Sequence, residues 1–413
     1  MISTSHTTPA GYSGKWKKGI IAAAAAMVLA VPANTAVAGD DGIARSATGK
    51  RYGVTTLSAN YLREEPDFTA ELGNQALMGT VVEILDEDSY WLKVKTPDPY
   101  TAWCVDSGVK EMSLEEMEDY IATEKIICTA DYSTIWTKPV RTVRGRPDVR
   151  KTVCRKTGNT GESDKGLHKI CDIVAGDLIP YSGKTVKGCY EVRLVTGETG
   201  YVPVPDASIF DTWIRRCYPS AENIIGTAMR FIGVPYLWGG TSIKGVDCSG
   251  LTKMVWLLNG VLLPRNASQQ ARVGLPVRVD ADTDRFPADS PENFTASGAF
   301  REEMLKRISD LRPGDLIFFG TPAHSASVSC GSSETESGEI SGKEKITHVG
   351  IYIGDGRFIH ASKLVRINSL VPGEPDFYEL SGKMIKARRI IGSNASDGIV
   401  SISDSPAYFP QEY

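Results

Sequence analysis

The sequence predicts an α+β protein in which two small β-barrels precede a domain made of a cysteine-bearing helix on an antiparallel sheet. Three observations carry this reading. Two segments, from about 53 to 108 and from about 128 to 208, are short alternating runs broken by Gly, Asp and Pro. At Pro219 the texture changes to apolar residues at helical spacing. Three strand-like runs then follow, LRPGDLIFFG, THVGIYIG and RFIHAS.

In chain order, Lys15, Lys17 and Lys18 precede an apolar run from Gly19 to Val31, and Ala36-Val37-Ala38 has the small-residue pattern of a signal-peptidase site. The run is short for a bilayer span. Residues 1–38 are therefore expected to be a signal peptide, and the mature protein to be exported, either periplasmic or extracellular. No later apolar stretch is long enough to cross a membrane, so no integral membrane segment is expected after signal removal.

The first barrel is assigned to 39–112, where TVVEIL and WLKVKT alternate with the period of half-buried strands. Residues 113–212 hold a connecting helix, an insertion and the second barrel. In SLEEMEDYIATE, Ser113 caps, Glu116 takes the capping-box position, and Met117, Tyr120 and Ile121 share a face. The stretch DIVAGDLIPYSGKTVKGCYEVRLVTGETGYVPV repeats the strand-turn-strand logic of the first barrel. Between them, VRTVRGRPDVRKTVCRKTGNTGESDKG is basic but lacks interleaved aromatics and reads as a solvated loop. With a net charge of −4 and no long charge runs, nucleic acid is not expected as a partner.

The third domain is assigned to 213–396, with a tail at 397–413. Ser220 caps a helix whose apolar residues are Ile224, Ile225, Ala228 and Phe231. A Gly-rich turn leads into DCSGLTKMVWLLNG, where Asp247 is the N-cap, Cys248 lies in the first turn, and Leu251, Val255 and Leu258 continue its face. A cysteine there has its thiolate favoured by free backbone N–H groups and the helix dipole, which is expected to lower its pKa. The same N–H groups can receive an oxyanion.

A base is then needed, and THVGIYIGDGRFIHAS carries two histidines on a probable hairpin. With a two-residue loop, His348 and His360 project from opposite faces. With a three-residue loop at Gly354-Asp355-Gly356, or a bulge of equal effect, they share a face as diagonal neighbours. That register lets His348 take the thiol proton while His360 orients it. Two other readings stand beside this one. A helix cysteine is commonly a small hydrophobe and a strand histidine a satisfied polar group. Zinc held by Cys248, His348 and His360 is the third, although no further ligand or Glu at metalloenzyme spacing accompanies them. The eight cysteines, at 104, 128, 154, 171, 189, 217, 248 and 330, include no C-x-x-C pair.

Five blocks, GVPYLWGGTS, VDCSGLTKMVW, LPRNASQQ, LRPGDLIFFG and THVGIYIGDGRFIHAS, resemble in content and order the NlpC/P60 family of cell-wall cysteine peptidases, over about residues 213 to 395. The stretch YLREEPDFTAELGNQALMGTVVEILDEDSYWLKV resembles a bacterial SH3 (SH3b) domain, and the second barrel is similar to it. Two such modules before the peptidase resemble the γ-D-glutamyl-L-diamino-acid endopeptidase subfamily. The resemblance implies a papain-like fold with Cys248 as nucleophile, His348 as base and His360 as orienting residue. It implies cleavage of L-Ala-γ-D-Glu from meso-diaminopimelate or Lys in stem peptides or muropeptide fragments, without a cofactor. It also implies a cleft walled off at one end by the first SH3b domain, which admits only a free N-terminal L-Ala.

Glu71, Tyr100 and Asp247 are the partners the resemblance suggests for that amine, with Tyr236 and Ser249 lining the cleft. For Glu71 and Tyr100, a barrel-surface carboxylate and a packing tyrosine are the competing readings. Where the subfamily commonly has LPRDS, this chain has Leu263-Pro264-Arg265-Asn266-Ala267, so Asn266 replaces a carboxylate at a substrate-facing position. Residues 280–310 and 322–345 are extra relative to the family, the second a Ser/Gly/Glu-rich loop containing His324 and Cys330, to which no role is assigned. Competing functions are a D,L-endopeptidase acting on intact peptidoglycan and an inert SH3b wall-binding protein. The intact Cys248, His348 and His360 argue against the inert form.

Overall fold

Residues 49–140, 142–143, 146–147, 166–279, 298–323 and 343–410 are described by the computed structural model. The expected signal peptide, His324, Cys330 and most of both inserts lie outside them.

Turn-punctuated alternation builds the first barrel from β1 (Arg51–Thr55), β2 (Asn60–Arg63), β3 (Leu72–Ala76), β4 (Val81–Asp88), β5 (Trp91–Lys95), β6 (Thr101–Val105) and β7 (Val109–Met112). Its strand order is β3-β2-β6-β5-β4-β1-β7. Helix α1 (Leu114–Ala122) begins with the expected capping box: Glu116 N donates to Ser113 Oγ at 3.1 Å and Ser113 N to Glu116 Oε2 at 2.8 Å.

The second barrel comprises β8 (Lys125–Cys128), β9 (Tyr132–Trp136), the short pair β10 (Thr142–Val143) and β11 (Arg146–Pro147), then β12 (Lys169–Val174), β13 (Leu178–Val186), β14 (Cys189–Arg193), β15 (Thr199–Pro203) and β16 (Ala207–Ile209). Its main sheet runs β12-β9-β15-β14-β13-β8-β16. Position for position this is the order of the first barrel, so the two are copies of one SH3-like module. The β10–β11 pair lies in the stretch read from sequence as loop.

The third domain contains α2 (Phe210–Ile214), α3 (Ala221–Arg230), β17 (Thr241–Ser242), β18 (Gly245–Val246), α4 (Cys248–Leu257), β19 (Val261–Leu262), α5 (Ala267–Gln270), β20 (Leu275–Val277), α6 (Gly298–Arg307), β21 (Leu316–Thr321), β22 (Lys345–Gly354), β23 (Arg357–Ser362), β24 (Leu364–Ser369), β25 (Met384–Arg389) and β26 (Val400–Ser401). An antiparallel sheet in the order β20-β25-β21-β22-β23-β24 receives α4, whose Leu251, Val255 and Trp256 are fully buried.

Two stretches set apart at the sequence level fold into this domain. Within 280–310, α6 buries Phe300 and Met304 in a core with Phe319, Phe358 and Leu370. In the tail, β26 pairs with β19 and Phe409 stacks on Phe210 at 5.2 Å. Apolar residues spaced too sparsely to signal an element are recruited here by tertiary contact.

The barrels share one hydrophobic core with the third domain: Leu77, Ile127, Val174 and Leu178 pack with Phe210, Leu251, Met254 and Leu257. Polar ties add direction. Thr241 N donates to Gln75 Oε1 at 2.9 Å, Thr241 Oγ1 to Gln75 O at 2.8 Å and Ser242 Oγ to Gln75 Oε1 at 2.9 Å. A buried ion pair, Lys253 Nζ to Asp98 Oδ2 at 2.9 Å, joins the first barrel to α4. At Gly239, where φ is +75°, a Cβ would stand 2.1 Å from Leu72 O, so glycine alone lets the loop before Cys248 touch the barrel. The first barrel is thereby held against the segment that positions the cysteine.

Candidate active site

Asp247 caps α4 and fixes its first turn. Its carboxylate accepts from Gly250 N at 2.7 Å, Gly239 N at 3.0 Å, and Arg265 Nη2 at 2.5 Å and Nη1 at 3.2 Å. Arg265 Nη1 also donates to Ser249 Oγ at 2.9 Å, and Ser249 Oγ donates to Asp247 Oδ1 at 3.2 Å. Gly250 is required sterically, because a Cβ there would stand 1.9 Å from Gly240 O. The sequence reading placed Asp247 against a substrate amine. In the structure it lines the cleft, but its carboxylate is buried and satisfied by the protein, which leaves it little capacity for a ligand.

The expectation of a low thiol pKa at Cys248 is corrected. Burial pushes the thiol up to about 11, and the Asp247 carboxylate adds to this, while the amides of Val349 and Ser249 pull the other way. Desolvation outweighs the helix terminus. The resting group is a thiol whose proton must leave as sulfur attacks, so it needs an adjacent base.

The candidate for that base lies on the hairpin. Ile351 faces Ile359 and Tyr352 faces Phe358, and a shift before Gly354–Arg357 introduces the bulge that the sequence allowed as an alternative to a three-residue loop. The two histidines consequently share a face, with His348 Nε2 2.7 Å from His360 Nδ1. His360 is fully buried, and its Nε2 lies 2.9 Å from Asn368 Oδ1. Phe319, Phe358 and Tyr378 enclose the pair, with ring centroids 4.5 to 6.0 Å from the imidazoles. Burial lowers His348 to about 3, with His360 adding to it, and lowers His360 to about 4 against the raising effect of Asn368. Both imidazoles are neutral at ordinary pH, and neutral imidazole is the form that accepts a proton. The same geometry weighs against the zinc reading, because both ring nitrogens of His360 are engaged, Nδ1 by His348 Nε2 and Nε2 by Asn368 Oδ1.

Cys248 and His348 line a cleft of about 500 Å³ whose opposite wall comes from the first barrel. Glu71, Tyr100, Tyr236, Asp247, Ser249 and Asn266 all line it, and His360 stands behind as support. Burial pushes the Tyr236 hydroxyl up to about 12, and its neighbours Cys248 and Asp247 act in the same direction. Asn266 begins α5, its N–H held by Gln269 Oε1 at 3.1 Å.

Among the lining residues that the sequence reading did not assign to the site are Glu64, Trp238 and Arg265. Glu64 N donates to Glu71 O at 3.0 Å, which brings two carboxylates to the neck of the β2–β3 hairpin. Tyr100 OH donates to Glu64 Oε1 in a short hydrogen bond. Gly73 makes room for this pair, since a Cβ there would stand 2.1 Å from Glu64 Oε1 and 2.2 Å from Tyr100 OH. A glycine inside a strand was the available signal, because it marks close approach by another group. Trp238 is 59% exposed in the cleft, an unusual state for so large an apolar side chain.

Among the described residues no group of three or more His, Cys, Asp or Glu is arranged to hold a metal. No helix among them is long and apolar enough to cross a membrane.

Comparison with known proteins agrees with this arrangement. Residues 233–381 match the NlpC/P60 family and residues 57–110 the bacterial SH3 domain. A γ-D-glutamyl-L-lysine dipeptidyl-peptidase of Bacillus cereus is 26% identical over 306 residues, covering 73% of this chain and 71% of that protein. Dipeptidyl-peptidase 6 of Lysinibacillus sphaericus is 27% identical over 335 residues, covering 78% of this chain and 92% of that one. The crystal structure of an NlpC/P60 family protein from Bacillus cereus shares the fold, with a TM-score of 0.56 at 21% identity, covering 82% of this chain and 99% of that one.

Proposed function

We propose that this chain, a cysteine peptidase carrying an NlpC/P60 domain behind a bacterial SH3 domain, cleaves the bond between γ-D-Glu and the diamino acid in cell-wall stem peptides with a free N-terminal L-Ala. One observation carries the reading: a single cleft contains the Cys248 and His348 pair and, on the barrel side, the acidic group Glu64, Glu71 and Tyr100. A thiol that shares a cleft with a neutral imidazole suits acyl transfer. A cluster of carboxylates within the same cleft suits an ammonium group. The names of the two relatives, which specify γ-D-glutamyl-L-lysine dipeptidyl-peptidase and dipeptidyl-peptidase 6 activity, support the substrate class.

In the reaction, His348 takes the Cys248 proton as sulfur attacks the side-chain carbonyl of D-Glu. His348 returns that proton to the departing amine of the diamino acid as the C–N bond breaks, leaving a thioester. Water, deprotonated by His348, attacks the thioester. The C–S bond breaks, the thiol regains its proton, and L-Ala-D-Glu is released. No cofactor enters these steps. Glu64 and Glu71 are assigned the amine in place of Asp247, because Asp247 is already committed to Arg265 and backbone amides. The N-terminal pattern ending at Ala38 supports export, which would place the enzyme where such peptides occur. Replacing Cys248 by Ala is the test of the chemistry: loss of all cleavage with unchanged peptide binding is expected, and retained cleavage would reassign the nucleophile.

A further inference from the structure

We propose that Asn368 is a positioning residue that sets the tautomer of both histidines, so that His348 presents an unprotonated Nδ1 as the base. The inference rests on the catalytic role proposed for Cys248 and His348, but its geometric content stands apart from the substrate.

Asn368 lies on β24 opposite Phe358, on the strand face shared by His360 and its partner Arg366, and is 8% exposed. Its amide orientation is fixed from outside the site: Nδ2 donates to Asp376 O at 2.7 Å, and a backbone carbonyl can only accept. Oδ1 is thereby turned to His360 Nε2 at 2.9 Å, so that ring nitrogen must carry the hydrogen. A neutral imidazole has one N–H, which leaves His360 Nδ1 as an acceptor. His348 Nε2, 2.7 Å away, must then be the donor, and its remaining nitrogen, Nδ1, is the one left with a free lone pair.

Reversing the Asn368 amide would reverse the whole series, placing Oδ1 against the Asp376 carbonyl and a hydrogen on His348 Nδ1. The carbonyl that prevents this is itself held, since Asp376 O also accepts from Ser369 N at 2.9 Å and the Asp376 carboxylate pairs with Arg357. The other groups around His360 do not supply a competing acceptor: Phe358 and Tyr378 flank it and the Arg366 charge disfavours its imidazolium.

The test is the assignment of ring nitrogens by ¹⁵N–¹H correlation spectroscopy of the full-length protein at pH 7, read beside the rate of Cys248 alkylation by iodoacetamide. In the unmodified protein, Nε2–H on both histidines is expected; a hydrogen on His348 Nδ1 overturns the proposal without any variant being made. In Asn368→Leu, mixed tautomers are expected, with alkylation and kcat each reduced about 100-fold and KM nearly unchanged. In Asn368→Asp, a carboxylate still accepts from Nε2–H, so the tautomers are expected to remain while the midpoint of His360 titration rises. Unchanged tautomers and alkylation in Asn368→Leu would overturn the proposal. Because the tautomer and alkylation readouts use no peptide, correct tautomers with no peptide cleavage would instead count against the proposed substrate.

Discussion

Tyr100 and Glu64, which stand just before β6 and just after β2 of the first barrel, are joined by a short hydrogen bond inside the cleft that holds Cys248. The contact exists because position 73 has no side chain. Gly73→Ala should displace the Glu64 carboxylate at little cost in stability, since the atoms it meets belong to side-chain ends. The expected result is a rise in KM of about 10- to 100-fold with kcat preserved, the worth of a hydrogen bond to a charged group. Glu64→Gln should behave alike. Steady-state kinetics on a free-amine stem peptide checks both, and an unaltered KM in the two variants would remove Glu64 from substrate recognition.

Acid behaviour follows from the buried histidines. With His348 at about 3 and His360 at about 4, kcat should show no step near the ordinary histidine value of 6.5 and should fall only below about pH 4. Stability moves in a related way. Both groups have folded-state values below 6.5, so the unfolded chain takes up more protons as pH falls from 6.5 towards 4 and the folded state loses ground in that window. Comparing melting curves of the wild type and a His348→Gln, His360→Gln double variant isolates this contribution. The gap between them should narrow as pH falls from 7 to 4.5, whereas parallel curves would mean that the histidines titrate in the native state as they do in the unfolded chain.

How much of this was legible depended on sequence distance. The shared face of His348 and His360 followed from counting residues across one hairpin, and the cap at Asp247 from its neighbours. The partner of that cap, Arg265, lies 18 residues away, so the buried ion pair that occupies Asp247 left no local trace. Cys248 shows the same limit: the helix terminus is visible in sequence, but the burial that overrides it comes from the sheet and the barrel wall. Glu64 was missed because its position in the cleft depends on how the first barrel docks, which is set by Gln75, Thr241 and the shared core. The tail joined the third domain through a two-residue strand and Phe409, too little pattern to read in advance.

The Asp98–Lys253 pair should matter through what each leaves behind. Removing either partner alone, as in Asp98→Ala or Lys253→Met, strands a buried charge and should cost about 3–5 kcal/mol. The double variant should recover much of that loss. Urea denaturation of the three proteins decides the matter, and additive losses would show that the two side chains do not interact.

Gly250→Ala places a methyl group 1.9 Å from the Gly240 carbonyl, a backbone atom that cannot rotate aside. The loop must separate from the first turn of α4, and with it the alignment of Cys248. Loss of activity together with a lower melting temperature is expected; a variant with wild-type kinetics would mean that the loop and helix are not in contact in solution.

In the proposed function, one cleft couples thiol chemistry to recognition of a free amine. Mass-spectrometric product analysis on L-Ala-γ-D-Glu-meso-diaminopimelate and on the same peptide with its amine acetylated tests it most directly. Release of L-Ala-D-Glu from the free peptide only is expected, and none from either peptide with Cys248→Ala. Equal cleavage of both peptides would contradict it and point to an endopeptidase acting on intact wall.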